Sequence, residues 1–144
     1  MPSVKDLMTE KIVTVSLEET VLKAGKLMAK KEVGCLVVMD GDSPVGILTE
    51  RDFVRRVIAE ELALNTKVAD IMSEPLETIH PDSSIREAAR LMVEKKVRRL
   101  PVVKEGKLIG IITASDFARQ LGKKTLTEEI LEAMARYPPL YPPF

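Results

Sequence analysis

With 144 residues, 45% of them apolar, the chain can bury a core and fits one compact domain or two tightly packed halves. Lys plus Arg equal Asp plus Glu at 22 each, which excludes the strong overall positive field of a protein held mainly to a nucleic-acid backbone and leaves room only for local basic patches. The single cysteine, Cys35, excludes an intrachain disulfide and a cysteine metal cluster, no stretch approaches the roughly 20 apolar residues of a membrane span, and the start Met-Pro-Ser-Val-Lys-Asp carries no apolar signal segment, so a soluble cytoplasmic protein is the expectation.

Ile12-Val-Thr-Val15 is a short β-branched run and predicts a strand. Ser16 followed three residues on by Glu19 has the spacing of a reciprocal helix cap, and Val21, Ala24, Leu27 and Met28 continue as an apolar stripe at helical spacing. Cys35-Leu-Val-Val-Met39 predicts a buried strand with Cys35 as a small core side chain; Asp40-Gly-Asp-Ser-Pro44 is a turn by composition, and Val45-Gly-Ile-Leu-Thr49 returns as the next strand. A second helix is predicted from about Glu50 to Leu62, burying Phe53, Val54, Val57 and Ile58.

The same order then recurs. Thr78-Ile79 predicts a short strand, Ser84 to Lys95 a helix, Leu100 to Val103 a strand, Lys104 to Lys107 a turn, Leu108 to Thr113 a strand and Asp116 to Leu121 a helix stopped by Gly122. Val4/Val68, Met8/Met72, Thr14/Thr78, Leu36/Leu100, Gly46/Gly110, Thr49/Thr113, Asp52/Asp116 and Phe53/Phe117 all stand 64 positions apart, with no insertion between Val4 and Phe53. One structural unit is therefore used twice. The expectation is an α/β fold of two β-α-β-β-α repeats, residues 1–64 and 65–124, packed with pseudo-twofold symmetry. Residues 125–144 add a capped helix, Thr125 to Met134, and an extended tail, Tyr137-Pro-Pro-Leu-Tyr-Pro-Pro-Phe144; the tail packs on its own body or a sister subunit, frays, or docks on a proline-binding partner.

Gly46-Ile-Leu-Thr-Glu-Arg-Asp52 and Gly110-Ile-Ile-Thr-Ala-Ser-Asp116 set a hydroxyl three residues ahead of an acid where strand turns into helix. A helix cap is the simple reading. A cap needs one polar residue and both copies keep two, which favours a carboxylate that accepts the hydroxyls of a ribose beside helix amides that face a phosphate. Val97-Arg-Arg-Leu-Pro101 sets two arginines before a buried strand, either as ordinary surface charge or as paired donors that neutralise a phosphate, where the first repeat has Gly34-Cys35. His80, the only histidine, precedes a proline and reads as a turn or cleft-edge residue; no histidine metal site or histidine-activated nucleophile follows from it, so the chain is read as non-catalytic.

These segments make the chain resemble a pair of cystathionine-beta-synthase (CBS) domains, a Bateman module, over about residues 4 to 121. The resemblance implies a stand-alone sensor of adenine nucleotide without a bound cofactor, AMP first and ADP or ATP next. It also implies two clefts, each combining the Thr-x-x-Asp segment of one repeat with strand edges of the other. One would use Thr49, Arg51 and Asp52 with Thr78, Ile79, Arg98, Arg99 and Pro101. The other would use Thr113, Ser115 and Asp116 with Thr14, Val15, Gly34, Cys35 and Val37; lacking arginines and the counterpart of Pro101, it is expected to take an uncharged adenosyl ligand or stay empty. A homodimer is expected from the repeated apolar helix faces, and signalling would reach an unidentified regulated protein. Three alternatives remain: a nucleic-acid-binding regulator using Lys95, Lys96, Arg98 and Arg99, an S-adenosylmethionine sensor, and a ligand-free dimerisation module.

Overall fold

The computed structural model describes residues 2–120, so the end of the last helix, Gly122, and the helix and tail expected over 125–144 lie outside the described residues. In chain order the elements are α1 (Val4–Leu7), β1 (Thr14–Ser16), α2 (Val21–Lys31), β2 (Cys35–Asp40), β3 (Ser43–Thr49), α3 (Glu50–Asp52), a π-helical segment (Phe53–Ile58), a 3-10 turn (Val68–Asp70), α4 (Ile85–Lys95), β4 (Arg99–Lys104), β5 (Lys107–Thr113) and α5 (Ala114–Gln120). They pack as two compact units. One is Ile12–Leu76; the other joins the residues up to Lys11 to those from Glu77 onward.

In the Ile12–Leu76 unit, β1 runs parallel to β2 and β2 antiparallel to β3. Thr20, not Ser16, caps α2: its hydroxyl accepts the Lys23 amide at 3.2 Å. The expected Ser16/Glu19 pair fails because those residues are engaged in other bonds. Ser16 accepts the amide of Glu18, and the carbonyls of Leu17 and Glu19 accept the amides of Ala69 and Val68, which holds this stretch out of the helix. Val21, Ala24 and Met28 then face a core with Leu36, Val38 and Leu48, as the apolar stripe requires. The predicted helix over 50–62 is also different. It is α-helical only to Asp52, and beyond it Ala59 and Leu62 donate to carbonyls five residues back, Val54 and Val57, in π geometry. Val57 is buried, whereas Val54 and Ile58 are 57% and 68% exposed, so the core takes one edge of the stripe and leaves the other outside.

In the other unit, β4 and β5 form a hairpin whose two-residue turn places Glu105 and Gly106 at φ 51° and 78°, the positive values a tight hairpin turn requires. Ser84, the first residue of the predicted helix, caps α4, accepting the Glu87 amide at 3.0 Å, and Ile85, Ala88, Ala89 and Met92 pack with Leu100, Ile112 and Phe117. Thr78-Ile79 does not reach strand length: Ile79 alone forms a parallel bridge to Val102. The helix α1 carries a capping box that went unread, with the Ser3 amide donating to Asp6 Oδ2 at 2.8 Å.

The repeat survives in detail. Val68 and Ala69 donate to the carbonyls of Glu19 and Leu17, and Val4 and Lys5 donate to those of Ser83 and Pro81, all four positions shifted by 64. The bridge of Ile47 to Ser73 recurs as that of Ile111 to Thr9. Each segment that precedes a repeat in sequence thus adds an edge to a sheet strand in its own packing unit, and the packing units are offset from the sequence repeats.

Candidate functional site

Thr49 ends β3 with extended backbone and begins α3 as its cap. Its amide donates to Asp52 Oδ2 at 2.9 Å, its hydroxyl to the same oxygen at 3.2 Å, and it accepts the Asp52 amide at 3.3 Å. Thr113 and Asp116 repeat the arrangement at 2.7, 3.2 and 3.3 Å. This reciprocal box uses both residues, so the premise that a cap needs only one polar group does not hold. Keeping the acid in both copies is explained by folding alone, and any ligand role is additional to it.

The remaining oxygens differ between copies. Asp52 Oδ1 accepts the Ser73 hydroxyl at 3.2 Å and faces Arg56 Nε at 3.7 Å, while Arg56 Nη1 donates to the carbonyls of Ile71 and Met72 at 3.0 and 3.1 Å. Asp116 Oδ1 pairs instead with Arg119 on its own helix. Both aspartates are buried, at 6% and 4% exposure. Sequence reasoning missed Arg56 and Ser73. Their signals were faint: Arg56 stands four residues after Asp52, one helical turn, and Ser73 follows Met72 as Thr9 follows Met8.

The glycine that opens each segment has a packing reason. A Cβ on Gly46 would lie 2.7 Å from Met72 Sδ and 3.1 Å from the Ser73 carbonyl; on Gly110 it would lie 2.6 Å from Met8 Sδ and 3.0 Å from the Thr9 carbonyl. Only a residue without a side chain lets the bridging segment lie against the strand.

Of the residues singled out in sequence, the Ile12–Leu76 unit holds Thr14, Val15, Gly34, Cys35, Val37, Thr49, Arg51 and Asp52. Thr14 stands opposite Val37 and Cys35 opposite Thr49, and the Gly34 carbonyl accepts the Glu50 amide at 3.2 Å. Cys35 is half-buried rather than fully in the core. The other unit holds Thr78, Ile79, Arg98, Arg99, Pro101, Thr113, Ser115 and Asp116. There Ile79 donates to the Pro101 carbonyl at 3.0 Å, Arg99 stands opposite Thr113, and the Arg98 carbonyl accepts the Ala114 amide at 2.9 Å. His80 is a turn residue, its Nδ1 accepting the Asp82 amide at 3.0 Å.

The same unit contains a cavity of about 60 Å³ lined by Met92, Val93, Val97, Arg98 and Phe117 among others. Among the described residues, no three His, Cys, Asp or Glu side chains converge as metal ligands, and no helix is long and apolar enough to cross a membrane.

The duplicated boxes, glycines and bridges agree with what the comparisons return. The family model for the CBS domain matches twice, at residues 4–59 and 68–123. The chain belongs to the CBS-domain family. This CBS pair is 37% identical over 118 residues to the CBS domain-containing protein YhcV of Bacillus subtilis, covering 82% of this chain and 84% of that one. Among solved structures it resembles the CBS domain pair of MJ0100 in complex with 5′-methylthioadenosine and S-adenosyl-L-methionine (TM-score 0.78, 25% identity, 87% of this chain and 99% of that one). It also resembles a hexameric CBS-CP12 protein from bloom-forming cyanobacteria (TM-score 0.74, 34% identity, 88% and 74%). A paired α/β CBS architecture is therefore established for the chain.

Proposed function

We propose that this CBS pair is a regulatory module that binds an adenine nucleotide, AMP in preference to ADP or ATP, and changes its affinity for a partner when it does so. The observation that carries the reading is the MJ0100 pair, a relative in fold and sequence whose complex contains two adenosyl ligands. Preference for a phosphate-bearing ligand rests on Arg98 and Arg99 at the start of β4. The proposed nucleotide-binding residues are Thr49, Arg51, Asp52, Thr78, Ile79, Arg98, Arg99 and Pro101. Asp52 takes the ribose, Thr49 and the arginines the phosphate, and Ile79 lies by the adenine. A second set comprises Thr14, Val15, Gly34, Cys35 and Val37 with Thr113, Ser115 and Asp116; Gly34 and Cys35 stand where the first set has Arg98 and Arg99, and it suits an uncharged adenosyl ligand.

S-adenosylmethionine is the second reading, favoured by its presence in the MJ0100 complex. A nucleic-acid reading has only the exposed Lys95, Lys96 and Arg98 behind it. The module works as a homodimer, supported by the uncovered Val54 and Ile58 and by the assembly of the CBS-CP12 relative. Regulation requires that the nucleotide bind two states of the protein unequally. Asp52→Ala is the direct test. Loss of charged hydrogen bonds to ribose weakens AMP by about 1.5–3 kcal/mol in calorimetry, and unchanged AMP affinity removes Asp52 from the site.

A further inference from the structure

Asp52 accepts three hydrogen bonds and has one acceptor position left, facing Arg56 Nε at 3.7 Å, whereas a ribose diol needs two. Its Oδ2 takes the amide and hydroxyl of Thr49, and its Oδ1 takes the Ser73 hydroxyl and faces Arg56 Nε. A carboxylate offers about four lone-pair positions. Only 9% of the Asp52 side chain is exposed, so a ribose diol reaches it only when a present partner lets go. Thr49 is the wrong one to leave, because its bonds close the start of α3. Ser73 and Arg56 are the partners that can yield.

Those two groups also fasten the chain that follows the 3-10 turn. Arg56 Nη1 holds the carbonyls of Ile71 and Met72, and Ser73 exchanges two backbone bonds with Ile47, at 2.9 and 3.2 Å. Resting on the nucleotide reading above, the geometry points to a latch in which Arg56 and Ser73 are positioning residues that tie Asp52 to the Ile71–Ser73 segment, so that ribose capture by Asp52 releases this segment. The π-helical turn that carries Arg56 begins directly after Asp52, and a change at the carboxylate is therefore felt at both ends of the tie.

Among the described residues, the second copy shows no such tie. Asp116 Oδ1 pairs with Arg119, a surface side chain of the same helix that is 68% exposed, and Thr9, the counterpart of Ser73, turns its hydroxyl oxygen to the amide of Lys11 at 3.3 Å. Ribose at Asp116 displaces a solvated arginine and, among the described residues, frees no segment. The two copies thus separate into one that transmits and one that only binds.

Calorimetric titration of AMP and of 2′,3′-dideoxy-AMP into the wild-type chain, Ser73→Ala and Arg56→Gln tests the latch. Removing a competitor for Asp52 raises AMP affinity at least threefold in Ser73→Ala and leaves the dideoxy analogue unchanged, a difference that a merely structural role for Ser73 does not produce. In hydrogen exchange of the wild type, saturating AMP speeds the amides of Ile47 and Ser73 and spares those of Ile111 and Thr9. AMP bound with equal affinity by all three proteins overturns the latch and leaves the nucleotide reading standing. Absence of AMP binding to the wild type overturns both.

Discussion

A Cβ on Gly46 or Gly110 would meet methionine sulfur at a distance real Cβ atoms essentially never show and a backbone carbonyl at about the tightest that they do. The methionine can swing aside, but the Ser73 and Thr9 carbonyls are held by their bridges to Ile47 and Ile111, so the strand itself must shift. Gly46→Ala and Gly110→Ala should each cost about 1–3 kcal/mol, the usual range for overpacking, seen as a lower urea midpoint at unchanged slope. Charge acts at the same scale. The Lys5 ammonium donates to Asp82 at 3.1 Å and holds its carboxyl below the usual range, and the amide and hydroxyl of Ser3 do the same for Asp6. A carboxyl whose pKa is depressed on folding contributes stability that is present above its unfolded pKa and lost as pH falls through the folded one. Asp82→Asn should therefore lower the melting temperature slightly at neutral pH and leave it unchanged below the carboxylate range; an equal difference at both pH values contradicts the pairing. At this scale the sequence displayed Thr49, Asp52, Thr113 and Asp116 clearly, because a recurring pair stands out against a 64-residue period. It did not display Ser73 and Arg56, which reach Asp52 from places where serine and arginine are ordinary surface residues.

The two long helices end alike and without glycine. Glu32 and Lys96 close α2 and α4 in left-handed conformation, at φ 54° and 56°, a region costly for a residue with a side chain. Lys96→Gly should gain up to about 1 kcal/mol in thermal or chemical unfolding, and a loss of that size would show that the lysine stem packs usefully. Amphipathic period located these helices correctly, since Val21, Ala24 and Met28 and their partners Ile85, Ala88 and Met92 leave no other face to bury. Their starts were less legible. Ser84, where the predicted second-repeat helix began, is its cap, but at the first helix the backbone bonds from Val68 and Ala69 override the local Ser16/Glu19 signal. The segment after Asp52 shows the same limit, for hydrophobicity named Val54 and Ile58 as core while the fold leaves both uncovered. If they form the homodimer face, Val54→Glu with Ile58→Glu should convert the chain to a monomer by light scattering without lowering its unfolding midpoint. A monomeric wild type rules this face out as a dimer contact.

Across the whole molecule, a constant 64-residue offset was enough to recognise two copies of one α/β unit, yet it could not say which copy each connecting segment joins. The bonds of Val4 and Lys5 to residues 83 and 81 obey the same offset as those of Val68 and Ala69 to residues 19 and 17, so self-comparison looks identical whichever way the segments are shared. Only three-dimensional packing reveals that Ile12–Leu76 carries the connecting segment with it, while the opening residues serve the later repeat. The polar sites follow the same logic. Folding explains the Thr-x-x-Asp boxes and the glycines, and Arg98 and Arg99 are the parts left for a ligand to use. The proposed nucleotide binding would give those parts a use, and calorimetric titration of the full chain with AMP, ATP and S-adenosylmethionine tests it most directly. Saturable binding of AMP, weakened by replacing Arg98 and Arg99 with alanine, is the predicted result; failure of all three ligands to bind the folded chain would contradict it.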